Sequence, residues 1–414
     1  MESNQLFVNI IDIFNVMRNL IFSMMCVVTV WSACTTQEPM ENVIERGLER
    51  AVIQSKGMAE ELSGKPDLLP RSMDKEGRLT TSDSRWWTSG FFPGTLWYLY
   101  EATGDSELKK YAEIYTQRVE REKNTTDNHD VGFMLYCSFG NGLRITGNQF
   151  YKSVLLQGAE SLSTRYHAGA GLIRSWDSHE DKWQYPVIID NMMNLELLLW
   201  ASKNSDSTKY RDIALKHADK TIKNHYRPDY SSYHVVSYDT ITGEVEKKNT
   251  NQGYADESSW ARGQAWGLYG YTMMYRETGI GRYLTMAENI ANYLLHHRNM
   301  PADGIPYWDF DAPEIPNAKR DASAAAIMAS AFIELSTVTK DKKLSESCLK
   351  MAEKQLRTLS SDAYLAAPGT NAHFVLKHSV GNMPIDTEVD VPLSYADYYY
   401  VEALLRYKKW YDKV

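Results

Sequence analysis

Cysteine is scarce in this 414-residue chain, with four in all. Cys26 and Cys34 fall in the N-terminal segment, and Cys137 and Cys348 stand far apart in apolar helical patterns. That scarcity excludes a disulfide framework and a cysteine-ligated metal centre, and the last two are expected as buried thiols. Positive charge is also in short supply. Lys and Arg number 45 against 53 Asp and Glu, the formal charge is −8, and no basic stripe is visible, so no nucleic-acid partner is expected. A Gly-rich phosphate loop, a Gly-x-Ser-x-Gly elbow and a His-Glu-x-x-His helix are all missing, which removes the usual signatures of nucleotide, serine-hydrolase and zinc-protease chemistry. Asp309 and Asp311 lack the further ligands that a calcium loop needs, and we expect neither metal nor cofactor.

What is present begins with an export segment. Residues Met17–Cys34 have a short basic start, an apolar run and small residues before a cysteine, the pattern of a secretory signal. Because Ser32-Ala33-Cys34 resembles the lipobox of bacterial lipoproteins, residues 1–34 are assigned to export, with cleavage before Cys34 and lipid on its thiol. Met17 begins a more ordinary signal than Met1 does, so residues Met1–Val16 are expected to precede the true start. The expected location is the bacterial cell envelope, as a periplasmic or surface lipoprotein that meets the membrane through its lipid anchor.

Beyond residue 40 two kinds of helical segment alternate. Glu41–Leu62, Ser106–Arg121, Gln149–Arg165, Ser207–Tyr226, Gly281–Arg298 and Lys342–Leu359 are amphipathic, with apolar residues three and four apart. Trp86–Glu101, Asp130–Ile145, Asp190–Ala201, Ser259–Glu277, Asp321–Leu335 and Val391–Tyr407 are apolar, aromatic or small nearly all round, the mark of a buried helix. Six inner and six outer helices describe an all-α toroid of six hairpins, a single domain over 40–414. Inner helices pass to outer ones through short turns, among them Thr103-Gly104-Asp105, Thr146-Gly147-Asn148 and Thr278-Gly279-Ile280. The return connections are mostly long, so the long loops and the starts of the inner helices share one face. Function in such scaffolds concentrates on loops.

Two aspartates, Asp130 and Asp190, open inner helices on that face. Each has an ordinary role open to it as a helix cap, and each is also a candidate for acid/base work. Neighbours favour the second reading. His129 adjoins Asp130, and the helix start at Trp260 supplies Arg262, Gln264 and Trp266. Aromatic residues including Trp86, Trp87, Trp176, Trp183 and Trp260 crowd the same rim, where indole faces suit stacking on sugar rings. A carbohydrate cleft with two carboxyls follows, and the sequence leaves open which aspartate is the acid. Arg262 suits either a substrate carboxylate or a structural acid. His234 lies in a long loop of the same face.

At this point the motifs resemble a known family, the unsaturated glucuronyl hydrolases of glycoside hydrolase family 88. The matching segments are Trp87-Thr88-Ser89-Gly90-Phe91-Phe92-Pro93-Gly94, His129-Asp130-Val131-Gly132-Phe133, Ile189-Asp190-Asn191-Met192-Met193-Asn194, Trp260-Ala261-Arg262-Gly263-Gln264-Ala265-Trp266 and Arg320-Asp321-Ala322-Ser323-Ala324, followed by Glu388-Val389-Asp390 with Asp397-Tyr398-Tyr399. The resemblance implies an (α/α)6 barrel whose active site lies where the inner helices begin. It implies removal of a 4,5-unsaturated uronic acid from the non-reducing end of lyase-generated oligosaccharides, of glycosaminoglycan type, by hydration of the C4=C5 vinyl ether. Carried over by motif, Asp190 is the general acid/base and Asp130 its partner. His129, His234, Gln252, Arg262 and Trp266 line the subsite, with Trp86 or Trp87 and Trp176 stacking on the sugars. Three rival readings differ in chemistry, and one of them, a 2-epimerase of N-acetylglucosamine on the same barrel, would want a His pair for proton exchange that the sequence does not place. An unsaturated rhamnogalacturonyl hydrolase shares the scaffold but fits the Trp260–Gln264 motif less well, and a non-catalytic glycan-binding lipoprotein would have no use for two aspartates. Lys377, His373 and His378 are candidates to meet sulfate.

Overall fold

The recurring Thr-Gly turn builds itself from its own side chains. In the computed structural model, which describes residues 37–411, α1 is Met40–Glu61 and α2 is Phe91–Thr103. The Thr103 hydroxyl donates back to the Leu99 carbonyl (2.8 Å). Gly104 then turns the chain at φ +70°, and Asp105 caps α3 (Ser106–Gln117) by accepting the Glu107 N–H. A left-handed φ is costly for any residue with a Cβ, so glycine recurs here, at Gly147 (φ +68°) and Gly279 (φ +67°). The export segment and Cys34 lie outside the described residues.

The remaining helices are α4 (Val131–Leu135), α5 (Asn141–Thr146), α6 (Gln149–Ser163), α7 (Leu195–Asn204), α8 (Lys209–His225), α9 (Ala261–Thr278), α10 (Gly281–His296), α11 (Ala322–Val338), α12 (Lys342–Leu359) and α13 (Ser394–Tyr411). A single π turn, Tyr136–Gly140, joins α4 to α5. Burial separates the two kinds. Every residue of α11 from Ala322 to Ser336 is buried, whereas α12 buries Leu344, Cys348, Ala352, Gln355, Leu356 and Leu359, one helical stripe. The inner helices close on themselves: α2 meets the α4–α5 segment, α4 meets α7, and contacts then run α7 to α9, α9 to α11, α11 to α13 and α13 back to α2. This is the six-hairpin barrel expected from the alternation, and from Met40 onward the chain forms one compact unit.

Helix starts depart from the sequence expectation. Trp86–Gly90 forms a turn and α2 begins at Phe91. Asp190 lies in a 3-10 turn, Ile189–Asn194, ahead of α7. Val391 ends a strand, because the Pro392 ring disfavours helical backbone in the residue before it. The long return loops also hold unforeseen sheet. β1 (Leu69–Met73) pairs with β2 (Leu79–Ser82), β3 (Tyr166–His167) with β4 (Leu172–Ile173), and β8 (Ser379–Asn382) with β9 (Thr387–Val391). Between these pairs in the chain, β5 (Pro186–Ile188), β6 (Val235–Tyr238) and β7 (Val245–Asn249) make a three-stranded antiparallel sheet with Val187 opposite Val236 and Val236 opposite Lys248. Loops this long must pair their backbone groups when they fold onto the barrel.

A cavity of about 790 Å3 occupies the opposite end of the ring, among the C-terminal ends of the inner helices. Its charges satisfy one another: Arg276 donates to Glu334 at 2.7 and 2.8 Å, Arg406 pairs with Glu334 at 2.8 Å, and Ser330 donates to Glu402 at 2.5 Å. None of its lining residues holds a buried side-chain polar atom without a partner.

Candidate active site

On the loop face buried polar atoms do lack partners, and they gather around the two aspartates. Asp130 occupies the N-cap position of α4, yet its side chain makes no capping hydrogen bond. Asp190 is the second residue of its 3-10 turn, Ile189–Asn194, and its Oδ2 is buried and unpartnered. The purely structural role open to each is therefore not the one either plays. Side-chain exposure is 19% for Asp130 and 11% for Asp190.

Small residues bring the two helix starts together. Gly132 has no side chain, and a Cβ there would lie 2.6 Å from the Asn194 Cα. Through that gap the Asn194 Oδ1 accepts the free Phe133 N–H at 2.8 Å, so a residue of the Asp190 turn caps the helix that Asp130 begins. Asn194 belongs to a recognised motif, but its role depends on a partner 61 positions away and left no local signal. The second start is pinned from behind, where His225 of α8 hydrogen-bonds the Val187 carbonyl of β5 (3.0 Å) and Ile189 N–H reaches the His234 carbonyl (3.1 Å).

Electrostatics follow from that enclosure. Burial, then the nearby charge of Asp190, pushes the Asp130 carboxyl up from 3.8 to about 8. Burial pushes Asp190 up to about 7, with Arg262 pulling the other way. The pair thus holds a proton near neutral pH. His129, whose Nε2 lies 3.4 Å from Asp130 Oδ1, is driven down to about 3 by burial and by Arg165, and is neutral. His234 is also held well below its usual value by burial. Its Nδ1 accepts the Asn251 and Gln252 N–H groups, both at 3.1 Å, which assigns the ring proton to Nε2. That N–H faces Asp190 Oδ2 at 3.8 Å and has no other partner.

The aromatic residues divide into floor and rim. Trp266 is fully buried between Phe133 (5.2 Å) and Tyr399 (5.4 Å), offering only an unpartnered indole N–H toward the site. Trp87 packs into the same floor against Phe91, Phe133 and Tyr395. Trp86 turns away to lie under Arg71. Trp176 forms a backbone bridge with Asn128, His129 N–H donates to the neighbouring Ser175 carbonyl (3.0 Å), and the Trp176 indole packs edge-on against Trp183 (5.6 Å). Gln252 donates to the Gly381 carbonyl (3.0 Å).

Arg262 corrects one expectation. Its guanidinium is completely buried and spent on the protein: one terminal nitrogen donates to Asp321 (3.2 Å) and the Val380 carbonyl, the other to the Gly381 carbonyl (2.6 Å). Trp260 lies under it at 4.5 Å. Of the two roles its chemistry allowed, the pairing with a structural acid is the one formed, and no two-nitrogen fork remains for a substrate carboxylate. The sulfate candidates are likewise engaged elsewhere: Lys377 donates to the Asp362 carbonyl, His378 pairs with Asp390 (2.7 Å), and His373 lies 3.8 Å from Glu61 of α1. Asp309 accepts from Tyr254, Ser258 and Asp311, fastening the loop ahead of α9.

A family model, Glycosyl Hydrolase Family 88, matches residues 67–411. The chain belongs to this family. Family 88 relatives agree over most of its length. It is 50% identical over 340 residues, 82% of this chain and 84% of the other, to an unsaturated glucuronyl hydrolase of Formosa agariphila. It is 33% identical to an unsaturated chondroitin disaccharide hydrolase of Streptococcus pyogenes, over 83% of this chain and 86% of that one. Among solved structures, an unsaturated glucuronyl hydrolase specific for heparin superposes with a TM-score of 0.86 at 49% identity, covering 89% of this chain and 98% of its own.

Proposed function

We propose that this chain hydrolyses oligosaccharides that end in a 4,5-unsaturated uronic acid, releasing that sugar by hydrating its C4=C5 bond. The observation that carries the reading is the pair Asp130 and Asp190, both raised by burial and unspent as caps, with the buried, unpartnered His234 Nε2 and Trp266 Nε1 beside Asp190. Buried polar atoms left without partners are costly, and a hydroxylated sugar completes them. Protonated Asp190 gives its proton to C4, positive charge develops at C5 and the ring oxygen, and water adds at C5 while returning a proton to the carboxylate. The hemiketal so formed opens and expels the rest of the sugar. Asp130, beside neutral His129, keeps the pair from ionising completely. Glycosaminoglycan fragments are the substrate class, supported by the chondroitin- and heparin-directed relatives. Adding protein to lyase digests should abolish the ultraviolet absorbance of the double bond; absorbance that persists across such digests would sink the reading.

The pair also sets a pH profile. A carboxyl whose folded pKa is raised contributes stability that is present below its unfolded pKa and lost as pH rises through the folded one. With 3.8 as the starting value and about 7 and about 8 in the fold, that contribution declines from about pH 4 and is gone by about pH 8. Activity needs the proton on Asp190, whose carboxyl burial raises to about 7, so kcat/KM should fall on the alkaline side through about pH 7. A rate profile flat to pH 9 would move the proton donor elsewhere.

For location, the lipobox-like Ser32-Ala33-Cys34 supports a lipid-anchored envelope protein. Cys34→Ser is expected to release active enzyme from the membrane fraction, and unchanged fractionation would point to an uncleaved anchor instead.

A further inference from the structure

The cleft still needs a cation for an acidic sugar, since the Arg262 fork is spent and Arg165 forks onto Asp177 at 2.9 and 3.0 Å. Arg71 meets that need. It stands at the irregularity in β1 where the pairing with β2 shifts between Pro70 and Ser72, and a bulge of this kind re-aims a side chain. The guanidinium carbon lies over Trp86, 3.7 Å from the ring centroid. Its Nε donates to Glu388 at 2.6 Å, while its two terminal nitrogens have no partner among the described residues. The side chain is 22% exposed. Glu388 is itself held in strained backbone, φ +57°, and a Cβ on Gly381 would meet it at 2.7 Å. Gly381 is the residue whose carbonyl takes both Arg262 and Gln252. Strain of this sort persists only where surrounding structure enforces it. A bulge, a strained acid and an indole therefore converge to hold one guanidinium, its terminal nitrogens unpaired among the described residues, against the β8–β9 hairpin that also seats Arg262 and Gln252.

We propose that Arg71 binds an oxyanion of the bound sugar. A guanidinium held over an indole is pre-organised, and its two parallel N–H groups match a carboxylate or a sulfate. Two sources present that chemistry: the carboxylate of the unsaturated uronate, and a sulfate on the sugar it is released from. The inference rests on the substrate class proposed above.

The test compares two unsaturated disaccharides that differ by one sulfate on the leaving sugar, followed by loss of double-bond absorbance. Arg71→Ala should raise KM at least tenfold with kcat within about threefold, and Arg71→Lys should recover part of the loss. KM does not depend on the folded fraction, so partial misfolding cannot imitate the result. A rise on both substrates assigns the uronate carboxylate, and a rise confined to the sulfated one assigns the sulfate. Glu388→Gln should lower KM, because the amide still accepts the Nε–H but no longer offsets the charge. If Glu388→Gln raises KM as much as Arg71→Ala does, the ion pair only pins two hairpins together and the proposal falls. KM within twofold of wild type for Arg71→Ala on both substrates also overturns it. Wild-type protein inactive on both would overturn the functional reading itself, and this proposal with it.

Discussion

Asp190→Asn is expected to lower kcat by about 10²–10⁴-fold, the usual contribution of a positioned acid/base, or roughly 3–5 kcal/mol of barrier. The amide preserves the shape of the side chain but cannot deliver a proton to C4. Stability should not suffer. Asp190 caps no helix, and its Oδ2 has no partner to lose, so removing a carboxyl whose ionisation is penalised by burial should leave the melting temperature unchanged or higher near pH 8. KM should stay near the wild-type value, since the His234 N–H, the Trp266 indole and the floor aromatics remain in place. A second signature lies in the partner. The charge of Asp190 is one of the causes that raise Asp130, so in the variant the Asp130 carboxyl should titrate lower, which NMR titration of the carboxyl carbon can follow. Retention of more than a few per cent of kcat would assign the acid to Asp130.

The barrel and its polarity were legible in the sequence because their causes are local. A Thr that bonds back to its own helix, a Gly at positive φ and an Asp or Asn that caps the next helix all act within three residues, as Thr103-Gly104-Asp105 shows. Inner and outer helices announce themselves through apolar periodicity. The positions of Asp130 and Asp190 follow from the same pattern, since both lie where apolar helices begin. What was not legible depends on distant partners. Asn194 reaches across 61 positions to Phe133, and the β8–β9 hairpin presents its carbonyls to Arg262 from 118 and 119 positions away. The bulge that aims Arg71 appears only in the β1–β2 register. Trp86 and Trp87, adjacent in sequence, were indistinguishable until one proved to be floor and the other rim.

Arg262→Ala should unfold the site rather than merely weaken binding. The guanidinium is enclosed, and its removal strands Asp321 and two backbone carbonyls, all of them buried around the β8 edge. Breaking a buried ion pair by deleting one partner costs roughly 3–5 kcal/mol, because the remaining charge is left unpaired. Asp321 is only partly consoled by its bonds to the Ser323 backbone and hydroxyl. Arg262→Lys should recover little, since one ammonium cannot span Asp321, Val380 and Gly381 in the geometry of the planar fork. Chemical denaturation measures the loss directly. The surviving folded enzyme carries a further mark: Arg262 is the charge that draws the Asp190 carboxyl downward, so the alkaline limb of kcat/KM should move to higher pH in Arg262→Ala and move less in Arg262→Lys, which keeps a positive charge. An unfolding free energy within 1 kcal/mol of wild type, together with a raised KM, would restore Arg262 as the direct partner of the substrate carboxylate and leave the buried pairing with Asp321 incidental.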